Sequence, residues 1–143
     1  MANTQLSDTI HVLIYIAYFK GKKITSQEMA SSLETSPSLI RKIMANLKRS
    51  HLLAPTHGPT QLALAVDPAE ITLRDVYATL PGQAPLLKVD DHTSQKCPIG
   101  QTMPTVLAHY YSEIQAAAEA KMAKITLQDI LNDVTLMQRL TAE

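Results

Sequence analysis

The sequence predicts a mainly α protein, on three observations. Two helix-start signals stand a short turn apart between Thr25 and Leu47, a hairpin pattern follows them, and a long helix-forming run lies towards the end of the chain. Thr25 with Glu28 has the spacing of a capping box, so a helix opens there and buries Met29, Ala30 and Leu33. Ser36 followed by Pro37 is a second start, an N-cap residue with proline at the first helical position. From there Leu39, Ile40, Ile43, Met44 and Leu47 recur at helical spacing and are expected to line one buried stripe. The opposite face carries Ser38, Arg41, Lys42, Ala45, Lys48 and Arg49. A short helix with an apolar back and a small, polar, basic front suits a DNA major groove. Leu52 and Leu53 come next, then a turn signal at Pro55, His57, Gly58 and Pro59, then alternating Leu62, Leu64 and Val66. Helix, helix, hairpin is the order of a winged helix-turn-helix, whose wing lies along the DNA backbone or reaches the minor groove. The competing reading is a generic helical domain whose exposed faces happen to be basic.

The remaining elements follow from the same rules. Leu6, Ile10, Leu13, Ile14, Ala17 and Tyr18 form one stripe of a first helix, which Gly21 stops. The apolar run from Ile10 to Phe19 is too short to span a bilayer, and it lacks the basic start and cleavage site of a signal peptide. A cytoplasmic protein without a membrane segment is therefore expected. After the wing, Asp67-Pro68 marks a turn, and Thr72 with Asp75 opens a short helix carrying Leu73, Val76, Tyr77 and Leu80, which Pro81-Gly82 ends. Gln83 to Ser94 reads as loop.

A long helix then runs to about Lys124, with Met103, Val106, Leu107, Tyr110, Ile114 and Ala117 repeating at three- and four-residue intervals. That stripe exceeds what a compact winged domain can cover, so the helix is expected to dimerise, as two-fold DNA readers do to set half-site spacing. Packing back on its own domain is the alternative. Thr126 with Asp129 opens a last helix that closes over the bundle. The division is thus a winged DNA-binding region over 1–80, a connecting loop with Cys97 over 81–100, and the dimerisation and closing helices over 101–143.

Charge sharpens this division. The whole chain is formally neutral. Up to Thr60 seven basic residues face three acidic ones, 7 − 3 = +4, and beyond it six face ten, 6 − 10 = −4. A basic front half suits a DNA-reading face joined to a different module. No Gly-rich phosphate loop, paired-carboxylate motif or nucleophile elbow is present, so an enzyme is not expected.

The single cysteine, Cys97, rules out an internal disulfide framework and fits a reducing compartment. If the long helix begins at Pro98, the thiol occupies its N-cap, where the helix dipole and Lys96 favour the thiolate. If it begins at Met103, after Thr102, the thiol lies in a loop without that activation. Pro104 favours the second start, since a proline deep in a helix removes a hydrogen bond. A redox sensor and a structural cysteine both remain open here.

These residues, in this order, resemble the Rrf-two family of bacterial winged-helix regulators, over nearly the whole chain. The resemblance rests on the first helix opening at Leu6, on Thr25-Ser26-Gln27-Glu28-Met29-Ala30, on Ser36 to Leu47, and most of all on the segment from Asp67 to Tyr77. Cys97-Pro98-Ile99-Gly100 looks most like its YwnA-like branch. The resemblance implies a homodimeric regulator whose DNA affinity is set by a ligand, a cluster or a thiol near the long helix. Two departures stand out. Many members carry three cysteines there and bind an iron–sulfur cluster; with Cys97, His92 and His109 as the local candidates, neither cluster nor metal is expected. The wing, where the family often has an arginine and paired glycines, here reads Thr56-His57-Gly58-Pro59-Thr60-Gln61.

The expected double-stranded DNA contacts are Ser38, Arg41 and Lys42 on bases or phosphates and Lys48 and Arg49 on phosphates. Thr25 and Ser26 on the supporting helix, with His57 and Gln61 in the wing, complete the set. The expected function is a homodimeric, sequence-specific transcriptional regulator acting as a repressor, modulated by oxidation at Cys97 or by a small effector. The rival is a winged-helix sensor dimer that binds a protein instead of DNA.

Overall fold

Six helices carry the fold: α1 (Gln5–Tyr18), α2 (Ser26–Leu33), α3 (Pro37–Arg49), α4 (Leu73–Ala78), α5 (Pro98–Met122) and α6 (Leu127–Thr141), with 3-10 turns at Pro68–Glu70 and Pro81–Gln83. The computed structural model describes residues 4–54, 62–83 and 85–142. The starts follow the capping chemistry. Thr25 and Ser36 accept hydrogen bonds from the Glu28 and Leu39 amides, at 3.1 and 3.3 Å. Thr72 with Asp75 and Thr126 with Asp129 form reciprocal capping boxes, each side chain taking the other residue's amide at 2.9–3.1 Å.

α1 is the centre of the molecule. It packs against α2, α3, α4 and α6 and buries Thr9, Val12, Leu13, Ile14 and Ile16. Val12 and Ile16 lie outside the stripe read from the sequence, and Tyr18, inside that stripe, is exposed. A helix enclosed by four neighbours buries more than one face, so a single amphipathic stripe understates it. The core continues through Ile24, Met29, Ala30, Ile40, Leu47, Leu53, Ile71, Val76 and Leu127. α3 departs from expectation at Leu39, which is 37% exposed and lies at the margin of its buried face.

The base of the wing is an antiparallel bridge between Leu53 and Leu64, with the Ala54 amide donating to the Ala63 carbonyl and the Ala65 amide to the Leu52 carbonyl, both at 2.9 Å. Leu62, Leu64 and Val66 are half-buried while Ala63 and Ala65 are exposed, the alternation of a one-sided strand. A second bridge pairs Thr72 with Thr126, so that the starts of α4 and α6 are stitched together above the buried Ile71 and Leu127.

α5 begins at Pro98, with Cys97 as its N-cap, and not at Met103. Thr102 is inside the helix, its hydroxyl donating to the Pro98 carbonyl at 2.8 Å. Pro104 is tolerated for a specific reason. It has no amide to offer the Gly100 carbonyl one turn back, and the Thr93 hydroxyl donates to that carbonyl instead. The loop before α5 thus repairs the bond that proline removes. Among the described residues no helix is long and apolar enough to cross a membrane.

Candidate nucleic-acid interface

α3 presents a single exposed face. Ser38, Arg41, Lys42, Ala45, Lys48 and Arg49 all point to solvent, while Ile40 and Leu47 behind them are fully buried. A helix of 13 residues is about 20 Å long, which fits within a turn of major groove. Thr25 and Ser26 are half-buried at the start of α2. The Thr25 oxygen is occupied by the Glu28 amide, which leaves its hydroxyl proton free to donate to an acceptor such as phosphate. His57 and Gln61 lie outside the described residues.

At the C-terminal end of this face, the Asn46 side-chain amide donates to the backbone carbonyl of Thr79, just past α4, and its oxygen accepts from the Arg49 guanidinium at 3.2 Å. On the other side of α4, the Tyr77 hydroxyl accepts from the Gln115 amide of α5 at 3.0 Å, and the Gln115 oxygen accepts from the Leu86 amide at 2.9 Å. Arg74 and Glu119 add an exposed ion pair at 3.8 Å between α4 and α5, a contact of small energetic weight. Sequence reasoning passed over both Asn46 and Gln115. The signal for each is a lone amide side chain beside an apolar stripe, which buries only with partners.

α5 contributes no buried side chain. Met103, Val106, Tyr110 (56%) and Ile114 are exposed along one side, as is Ala117, with Ile99 extending the stripe; Leu107 alone of the predicted set is half-buried. Near the end of α6, Leu136, Met137 and Leu140 are also exposed. A solvent-facing row of this kind on one helix marks an interaction surface.

Cys97 is exposed at the α5 N-terminus. Its sulfur makes no cap hydrogen bond of ordinary length, yet the amides of Gly100 and, less so, Ile99 face it and hold the thiol below its ordinary pKa, against a small opposing effect of burial. Gly100 is required there, because a Cβ would come within 2.5 Å of the Ser94 carbonyl oxygen. His92 lies beside Asp91 and His109 beside Glu113, each 3.3–3.8 Å from its carboxylate. Among the described residues no three His, Cys, Asp or Glu side chains gather closely enough to hold a metal ion.

The comparisons with known proteins agree with this geometry. The model of the family Rrf2, described as an iron-dependent transcriptional regulator, matches residues 2–133. YwnA of Bacillus subtilis (strain 168), which carries the description of an HTH-type transcriptional regulator, is 31% identical over 132 residues, 92% of this chain and 98% of its own. A crystal structure described as a DNA-binding protein superposes with a TM-score of 0.67 at 28% identity, covering 89% of this chain and 98% of that one. IscR of T. potens shares the fold, with a TM-score of 0.69 at 20% identity over 94% of this chain and 88% of its own. The family description names iron; this chain has one cysteine, and an iron–sulfur cluster takes several thiolate or imidazole ligands. With the winged helix-turn-helix architecture and the family match together, the chain belongs to the Rrf2 family of DNA-binding transcriptional regulators.

Proposed function

We propose that this protein is a cytoplasmic homodimer that binds a two-fold DNA site and represses transcription by occupying it, without an iron–sulfur cluster. The observation that carries the reading is a pairing: an exposed basic face on α3 and an unpartnered apolar stripe on α5. The first suits a major groove, the second a copy of itself. Ser38, Arg41 and Lys42 contact bases or phosphates, Lys48 and Arg49 contact phosphates, and Thr25, Ser26, His57 and Gln61 flank them.

Modulation enters at Cys97, or through a small effector bound near α5. A thiolate favoured by the Gly100 and Ile99 amides attacks a peroxide to give sulfenic acid, with hydroxide leaving. No second cysteine exists in the chain, so resolution requires the other protomer or a small thiol. Because the pKa is lowered, the thiolate fraction rises from a lower pH than for a free thiol. The midpoint of iodoacetamide alkylation against pH should therefore fall below that of a free cysteine. A midpoint equal to the free thiol's would remove the amides from the account.

The test is a gel shift on the protein's own upstream DNA, with reductant and after hydrogen peroxide. A salt-sensitive shift that outcompetes random duplex is expected, lost on oxidation in the wild type and kept in Cys97→Ser. A shift indifferent to peroxide contradicts the thiol switch, and no shift in either state contradicts DNA binding. On the bound duplex, Arg41→Ala should cost about 1–3 kcal/mol if it reads a guanine edge. Equal losses on specific and random DNA would leave Arg41 a phosphate role only.

A further inference from the structure

Arg49 is held from behind, and this separates it from the other cations of α3. Its guanidinium donates to the Asn46 side-chain oxygen at 3.2 Å. Asn46 can offer that oxygen because its nitrogen is turned the other way, towards the Thr79 carbonyl. A carbonyl accepts only from a donor, so both bonds form in one amide orientation and fail in the flipped one. The frame on either side is itself closed. The Ser50 amide and hydroxyl both donate to the Asn46 carbonyl, at 3.1 and 3.0 Å. The Thr79 hydroxyl donates to the Val76 carbonyl at 2.7 Å, which fixes the end of α4. Arg41, Lys42 and Lys48 are exposed, and among the described residues their side chains make no comparable hydrogen bond.

We propose that Asn46 is a positioning residue for DNA reading, which presents the Arg49 guanidinium in one orientation fixed against the end of α4. The inference rests on the DNA-binding reading above and assigns a device within it. An arginine on a free surface must be immobilised when it meets a phosphate or a base edge, and that ordering opposes binding. Held in advance by Asn46, Arg49 loses less freedom on contact. α4 carries Tyr77, to which Gln115 of α5 donates at 3.0 Å. The orientation of Arg49 is therefore referred to the same short helix that anchors the long one.

The experiment measures affinity for a duplex recovered by repeated selection from a random pool with the full-length wild type, alongside unselected duplex. Asn46→Leu, Arg49→Ala and the double variant are compared at two salt concentrations. Asn46→Leu keeps the branched shape of the side chain, in a larger volume, and removes both hydrogen bonds. It is expected to weaken binding about 3- to 10-fold while leaving the salt dependence near that of the wild type, since no cation is lost. In the Arg49→Ala background the same change is expected to have no effect, because its target is gone. An equal loss in both backgrounds would make Asn46 merely structural and overturn the inference, as would no loss in either. Asn46→Ser, too short to span both partners, repeats the comparison if the leucine variant folds poorly by circular dichroism. Failure of the wild type to select any duplex would strike the DNA-binding reading itself, an outcome separate from any result with the variants.

Discussion

The winged region and the α5 arm are built on opposite principles. Every fully buried side chain among the described residues sits on α1 to α4, their connections, or the first residue of α6. α1 alone supplies five of the buried residues and touches four helices. α5 is the longest helix, 25 residues, and supplies none. Its apolar stripe is comparable in residue type to that of α1 but faces solvent. The reading head holds its own core within one chain, whereas the exposed stripe of α5 gains hydrophobic stabilisation only against another surface.

Substitutions on the two sides should separate accordingly, in effects from large to small. Ile114→Glu, on the exposed side of α5, should leave the helical signal intact while the protein runs as one chain. Its affinity for a two-fold site should fall by at least about 100-fold, because the second half-site no longer binds intramolecularly. Sedimentation would show this, and a variant still sedimenting as a dimer would refute the assignment of that face. Leu13→Ala, at the fully buried centre of α1, should cost about 2–5 kcal/mol of stability, read by urea denaturation. A loss no larger than that of a surface alanine would dissolve the contrast. Thr126→Ala removes one half of the capping box that opens α6 and should cost about 1 kcal/mol. His51→Gly should stabilise by about 1 kcal/mol, since His51 holds φ at +61° just past the end of α3, where glycine carries no Cβ penalty. A lower melting temperature in that variant would show that the histidine side chain matters more than its backbone.

The sequence was most legible where structure is decided within four residues. Ser36-Pro37 and the pairs Thr72/Asp75 and Thr126/Asp129 open helices where their capping chemistry says they must. The alternation of Leu62, Leu64 and Val66 survives as alternate burial. Legibility ended where a distant partner decides. Pro104 argues locally for a late start to α5, and only Thr93, across the loop, reverses that by taking the orphaned Gly100 carbonyl. Leu39 fits the apolar period of α3, yet it lines an open cleft with Gln5, Asp8 and Thr9 of α1 and stays exposed. The roles of Asn46 and Gln115 depend on where α4 passes, which no spacing within α3 or α5 encodes.

The most direct test of the account is a titration of the selected duplex by fluorescence anisotropy, over a series of salt concentrations and with stoichiometry determined. Two chains per duplex are expected, with an affinity that falls linearly in log–log form as counterions are released. One chain per duplex, or binding indifferent to salt, would contradict the account.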